Sequence, residues 1–223
     1  MILVFDLDDT LYEEITYVQS AFRSVALYLG VKYKLNAPEI EKSLIQILEY
    51  KGRGEVFNEV LKSYGIYSKT EVKKCLAVYR NTKPEIKLND DAVRCLERFA
   101  YLPKYLVTDG NKLVQSAKIT ALNLEKYFTK TIPTHNFGIR HAKPSTYIFH
   151  KILEWEKAQP YELLYIGDNP NKDFVNLKLD GFRTVRINTG MFKDLRLGSA
   201  YEADHDINSL DELNESLLNK VFN

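Results

Sequence analysis

The chain has almost no net charge: 31 Lys and Arg against 30 Asp and Glu leave +1 over 223 residues. So even a balance exerts no long-range pull on a nucleic-acid backbone or an anionic membrane. No basic run with interleaved aromatics takes its place, so the 15 tyrosines read as packing rather than base stacking. Cysteine is scarce. Cys75 and Cys95 are the two present, and their spacing fits neither a zinc site nor a redox pair, which leaves reduced, small apolar residues. The four histidines are scattered and form no ligand set. No apolar run is long enough to span a bilayer. An apolar run that begins at Ile2 leaves no room for a secretory leader, so a cytosolic location is expected. Internal repeats and low-complexity segments are also missing. The remainder, 45% hydrophobic and 27% charged, can fill a core. Its length suits one large domain or a domain carrying an insertion.

The most informative stretch is the first twelve residues, Met1-Ile-Leu-Val-Phe-Asp-Leu-Asp-Asp-Thr-Leu-Tyr12. Ile2 to Phe5 is a continuous apolar run, as in a strand buried on both faces of a parallel sheet. It ends abruptly in Asp6, Asp8 and Asp9. Extended backbone points Asp6 and Asp8 to the same side, and two crowded carboxylates call for a cation or a shared proton. Oxygen ligands of this kind suit Mg²⁺.

After Tyr12 the period changes from strand to helix. Val18, Phe22, Val25 and Leu29 share one helical face, with Gly30 as the expected stop. Asn36-Ala-Pro-Glu39 reads as a second helix start, and Lys51-Gly-Arg-Gly54 as a break before a third helix that ends near Gly65. Ser68-Lys-Thr-Glu71 has the form of a capping box for a fourth. These helices predict a small bundle over residues 14–83. From Asn89, a potential helix cap, the pattern becomes α/β. Strands are expected at Tyr105–Val107, Thr131–Thr134, Leu163–Ile166 and Arg183–Ile187. Helices are expected over Lys112–Leu122 (extended through Leu124–Phe128), Ser145–Lys157, a segment running to Leu179, and Ser209–Val221. In the first of these, Val114, Ala117, Ile119 and Ala121 form the apolar set. Pro133 suits an edge strand. Such alternation predicts a parallel, Rossmann-like α/β core formed by residues 1–13 and 84–223.

Three further sites fall at strand ends or helix entrances. Thr108-Asp109-Gly110-Asn111 puts a hydroxyl beside a glycine turn and free helix N–H groups, which makes an anion site. Lys143, in Ala-Lys-Pro-Ser, sits at a helix entrance, where a cation needs an anionic neighbour. Gly167-Asp168-Asn-Pro-Asn-Lys-Asp173 adds two carboxylates after the Leu163–Ile166 strand. Each has an ordinary capping or surface explanation alone. In this order, however, Asp-x-Asp-x-Thr, Thr-Asp-Gly, Lys-Pro and Gly-Asp-x-x-x-x-Asp resemble the four motifs of the haloacid dehalogenase superfamily. The resemblance covers nearly the whole chain, and the helical insertion looks like that superfamily's C1-type cap. Thr108-Asp-Gly departs from a frequent Thr-Asn-Gly. The acid at Asp8 matters more, because phosphoryl-transferring members have it and the true dehalogenases lack it.

The resemblance implies Asp6 as nucleophile, forming an aspartyl phosphate, and Asp8 as general acid and then base, which needs a proton on it at the start. It implies Mg²⁺ held by Asp6, Asp168 and the Asp8 carbonyl, with Asp173 and Thr10 in supporting positions. Thr108, Asp109, Gly110 and Lys143 would hold the phosphoryl group, and Asp9 would be solvated. The expected enzyme is a phosphatase acting on a small phosphorylated metabolite, a sugar phosphate or nucleoside monophosphate. It would be a monomer or homodimer with no nucleic-acid or membrane partner. A phosphomutase, a receiver-type signalling domain or an idle binding module are the alternatives. Tyr12, Glu13, Arg53 and the Arg140-His141 pair are candidates to meet the rest of the substrate. Arg53 leads them, because flanking glycines let its loop approach an anion.

Overall fold

The computed structural model describes residues 1–222 as two compact units, one made of Met1–Glu14 and the chain from Lys87 onward, the other of Ile15–Ile86. The first is α/β. Its strands are β1 (Ile2–Phe5), β2 (Lys104–Thr108), β3 (Lys130–Pro133), β4 (Leu163–Gly167), β5 (Arg183–Ile187) and β6 (His205–Ile207). They form one sheet in the order β3-β2-β1-β4-β5-β6, and every neighbouring pair is parallel. β1 lies in the middle, with Phe5 in register with Leu106 of β2 and Ile166 of β4. Both faces of these strands are buried, which is why they read as unbroken apolar runs. On one face Val4, Val107 and Tyr165 pack with Ile148 and Phe149 of α7 (Tyr147–Glu156) and with Phe174.

Several elements differ from expectation. β6 was not foreseen: three residues with two polar side chains give no hydrophobic signature, and pairing with β5 alone makes them a strand. The helix α6 (Lys112–Ala121) stops where Asn123 turns left-handed, so Leu124–Lys126 is a separate single turn. α7 begins at Tyr147, leaving Lys143 on the loop before it. The expected Ser209–Val221 helix is a short turn at Leu210–Glu212 followed by α9 (Glu215–Phe222). Asn89 sits at the N-cap position of α5 (Asp90–Arg98) without a side-chain cap bond, its own N–H being donated to Leu11 O at 3.0 Å. The remaining helix of this unit, α8, spans Val175–Leu179.

The second unit is four helices, α1 (Glu14–Tyr33, whose first residue belongs to the α/β unit), α2 (Ala37–Lys51), α3 (Val56–Ser63) and α4 (Lys69–Arg80). α1 runs through Gly30 instead of ending there. A Cβ at Gly30 would lie 3.1 Å from both Ala37 Cβ and Leu35 O, so the glycine serves the close return of the chain into α2. Asn36 and Ser68 cap α2 and α4 through the N–H groups of Glu39 and Glu71. The reciprocal half of the Ser68 box does not form, because the buried Glu71 carboxylate bonds Tyr28 and Lys32 of α1. Phe22, Phe57 and Tyr79 meet at ring distances of 5.9–6.0 Å.

Candidate active site

Because β1, β2 and β4 are parallel neighbours, their C-terminal ends open together, where ligands of open α/β sheets gather. Asp6 follows β1 directly, its N–H donating to Ile166 O at 2.8 Å. Thr108 ends β2 and Asp168 follows β4. Lys143 reaches this point from the loop before α7. Its Nζ lies 2.9 Å from Asp6 Oδ2 and 2.8 Å from Asp173 Oδ1, and it donates to Tyr165 Oη at 2.6 Å. The Tyr165 hydroxyl in turn donates to Asp173 at 3.1 Å. Asp173 is also fixed by the Asn169 N–H at 2.9 Å. Gly167 allows this approach: a Cβ there would lie 2.6 Å from Asp173 Oδ2.

Asp6, Asp168 and Asp173 are buried and bring carboxylate oxygens within 4.8 Å of one another. Burial, outweighing the attraction of Lys143, raises Asp6 to about 6. Burial, then the charges of Asp173 and Asp6, raises Asp168 to about 9. Burial opposes the charge on Lys143, but Asp173 and Asp6 more than offset it and hold the ammonium charged. With Lys172 paired to Asp109, the three carboxylates when ionised face the Lys143 ammonium and leave two negative charges uncompensated, the complement of one divalent cation. The donors are all oxygen, the set Mg²⁺ prefers. The residues present therefore fit such an ion.

The Asp8 carboxylate is engaged elsewhere. Its Oδ1 accepts from the Tyr12 hydroxyl and from Lys118 Nζ, each at 2.6 Å, and its Oδ2 from Gln115 Nε2 at 3.1 Å. Burial pushes Asp8 up, but Lys118 and these donors outweigh it and hold the group below the usual carboxylate range. A proton resident on Asp8 is thus disfavoured in this arrangement. Gln115 Nε2 also lies 2.6 Å from Thr108 Oγ1 and 2.7 Å from Asp109 O, sharing two hydrogens among three acceptors. Gly110, at φ +134°, leaves Gln115 its space: a Cβ would stand 3.3 Å from the amide carbon.

Asp109 accepts from Thr134 Oγ1 (2.7 Å), the Lys143 N–H (3.2 Å) and Lys172 Nζ (3.1 Å). Burial raises it, while Lys143, Lys172 and these bonds lower it further, so it stays ionised. The Thr10 hydroxyl is buried with no partner among the described residues; what this residue bonds is Leu7 O, through its N–H at 3.3 Å. Asp9 is not solvated as expected. Its carboxylate accepts the Glu14 N–H at the start of α1 and the Met191 N–H, and its carbonyl accepts the Thr189 hydroxyl. Tyr12 is fully buried against Asp8 instead of open to substrate. Arg140 bonds His141, whose ring stacks on Tyr147 at 4.0 Å. Arg53 belongs to the helical unit, where it lines a cavity of about 260 Å³ with Phe22, Phe57 and Tyr79. Both cysteines are buried, which pushes their thiols up to about 12.

Gln115, Lys118, Tyr165 and Lys172 escaped the sequence reading. On α6 the apolar set included Ala117 and Ala121, but Gln115 and Lys118 are buried while Ala121 is exposed. The available signal was their i, i+3 spacing, flanking Val114 on the face that also carries Ile119.

Residues 1–175 match the family model of the haloacid dehalogenase-like hydrolases, and the chain belongs to that family. It is accordingly an enzyme of hydrolase type. It is 29% identical over 218 residues to a glyceraldehyde 3-phosphate phosphatase of Methanocaldococcus jannaschii, with 95% of this chain and 94% of that one covered. It is 30% identical over 104 residues to a phosphoserine phosphatase of Thermus thermophilus, covering 44% and 41%. Among solved structures, a 2-haloacid dehalogenase from Pseudomonas syringae superposes with a TM-score of 0.67 at 19% identity over 98% of both chains, a likeness of fold. No helix among the described residues is long and apolar enough to cross a membrane.

Proposed function

We propose that this chain is a phosphomonoesterase of small phosphorylated metabolites, working through Asp6. The observation that carries the reading is a buried Asp6 held by Lys143 beside a separately anchored Asp8. A dehalogenase has no use for the second acid. In the proposed reaction an Asp6 carboxylate oxygen attacks phosphorus and the P–O bond to the substrate alcohol breaks. The departing oxygen takes a proton from Asp8. Water then attacks the aspartyl phosphate, gives a proton back to Asp8 and releases inorganic phosphate, regenerating Asp6. Lys143, the Thr108 hydroxyl and the N–H groups of Asp109 and Gly110 would hold the phosphoryl oxygens. Asp6, Asp168 and the Asp8 carbonyl would hold Mg²⁺, which when bound offsets the charge of the phosphoryl group. Asp173 would keep Lys143 in place. The proton on Asp8, disfavoured in the free site, becomes favourable beside a bound phosphate dianion, since a nearby negative charge raises a carboxyl group.

The names of the full-length relatives support a small metabolite such as a triose phosphate as the substrate. A phosphate-release screen of phosphorylated metabolites with Mg²⁺ tests the reading, run beside Asp6→Asn. The near-isosteric amide cannot attack phosphorus, so turnover should fall at least about a thousandfold, some 4 kcal/mol of barrier. Release within about tenfold of wild type would refute the covalent route. Arg53 is proposed to meet the substrate beyond its phosphate. Arg53→Ala should then weaken the native substrate by roughly ten- to a hundredfold in kcat/KM, as for a lost hydrogen bond to a charged group, and spare p-nitrophenyl phosphate.

A further inference from the structure

One face of α6 does work that the four motifs do not account for. The helix follows directly on Thr108-Asp-Gly, and Asn111 caps it by accepting the N–H groups of Leu113 and Val114. Gln115 and Lys118 are one turn apart, so they point the same way, and both are almost fully buried. An amphipathic helix normally keeps such side chains in water, because burying an ammonium is costly unless it is paired. Here the pairing is direct. Lys118 Nζ meets Asp8 Oδ1 at 2.6 Å, with Glu14 Oε1 farther off at 3.9 Å.

The bonds on Asp8 are distributed unevenly. Both short ones, from Lys118 and Tyr12, end on Oδ1, while among the described residues Oδ2 receives Gln115, at 3.1 Å. Two donors on Oδ1 fix the side-chain torsions and leave Oδ2 as the oxygen able to exchange a proton. Gln115 ties that oxygen to Thr108 and the Asp109 carbonyl, the segment proposed above to hold the phosphoryl group. Asp8 stands outside the Asp6–Asp168–Asp173 cluster, so no contact within that cluster aims it.

We propose that Lys118, with Tyr12 and Gln115, is a positioning residue that fixes the Asp8 carboxyl so that its Oδ2 faces the departing oxygen of the substrate. The inference rests on the phosphomonoesterase reading and adds these three residues to it. Lys118 touches neither phosphorus nor the leaving group; it acts through Asp8. The consequence is selective. A phenolate leaves without help, whereas an alkoxide needs its proton delivered in the transition state. Loss of Lys118 should therefore matter most for alkyl esters.

The experiment compares kcat/KM for an alkyl phosphate and for p-nitrophenyl phosphate in wild type, Lys118→Met, Lys118→Arg and Tyr12→Phe, with circular dichroism on each. kcat/KM is chosen because it reports steps up to the first irreversible one, before the shared hydrolysis of the phosphoenzyme. Lys118→Met keeps the stem and removes the ammonium. It should lose about 30- to 300-fold on the alkyl ester, part of the hundred- to ten-thousandfold worth of a general acid, and under about fivefold on the aryl ester. Lys118→Arg should recover most of the loss, and Tyr12→Phe should show the same split more weakly. Equal losses on both esters, or no loss on either, would overturn the proposal. If Lys118→Met fails to fold, the split in Tyr12→Phe decides alone, and its absence would overturn the proposal too. A wild-type protein that hydrolyses neither ester would instead refute the phosphomonoesterase reading.

Discussion

At the scale of single residues, the site depends as much on what is missing from a side chain as on what is present. Gly167 has an ordinary backbone conformation, so its need for glycine is not torsional: the volume of a Cβ is taken by the Asp173 carboxylate, with Tyr165 Cε1 3.0 Å away. Gly167→Ala should push Asp173 off Lys143 and the Asn169 N–H. We expect a stability loss of about 1–3 kcal/mol, as for overpacking, and a fall in kcat/KM of about a hundredfold from misplaced groups. Thermal melts and kinetics on p-nitrophenyl phosphate check both; unchanged kinetics would mean that Asp173 is not needed where it stands. The residues that supply charge, Asp6, Lys143, Asp168 and Asp173, and the Thr108 hydroxyl were legible in the sequence, because they sit at motif positions that the sheet then gathers. Those that hold the charged groups in place were not. Gln115 and Lys118 are polar residues in an amphipathic helix, and Tyr165 is one apolar position of a buried strand. Nothing local distinguishes an inward lysine from a solvated one until Asp8 is opposite it.

At the scale of elements, most segments that carry their own signal form as expected, while those that depend on a neighbour do not announce themselves. The five longer strands and the run of four helices follow from hydrophobic period and capping residues. Gly30 and β6 do not: one is a glycine kept for the approach of residues 35–37, the other a strand by virtue of β5. Ser68 combines both cases. Its hydroxyl accepts the Glu71 N–H at 3.0 Å, as the motif predicts, while the Glu71 side chain crosses to Tyr28 and Lys32. Ser68→Ala removes only the cap and should cost about 1 kcal/mol. Glu71→Gln leaves the cap and removes the buried carboxylate charge that accepts from Tyr28 and the exposed Lys32, which should cost more, about 1.5–3 kcal/mol, as for hydrogen bonds to a charged group. Urea unfolding followed by helical circular dichroism ranks the two; a costlier Ser68→Ala would assign the stability of α4 to its cap over its packing on α1.

At the scale of the whole α/β unit, strand order decides where charge accumulates. Placing β1 between β2 and β4 brings three strand ends together, and with them more carboxylates than one lysine can neutralise. The free site should show this in its stability. An acid whose folded pKa is raised binds its proton more tightly folded than unfolded. Its contribution is therefore fully present below the unfolded value near 3.8 and is lost as pH rises through the folded value, about 6 for Asp6 and about 9 for Asp168. Metal-free protein should accordingly lose stability from these groups between about pH 4 and 9, at up to about 1.4 kcal/mol per pH unit for each group titrating. Mg²⁺ competes with those protons, so the rise in melting temperature that it produces should be small near pH 5 and large near pH 8. Asp168→Asn removes the carboxylate with the most strongly raised pKa of the cluster. It should stabilise the metal-free protein near pH 8 and abolish most of the Mg²⁺ response, measured by melts with and without the ion. Equal Mg²⁺ shifts at both pH values, or a full response in Asp168→Asn, would place the cation away from this cluster. The crowding of Asp6, Asp168 and Asp173 would then have to be relieved by protonation, with Asp168 neutral and Lys143 paired to the other two.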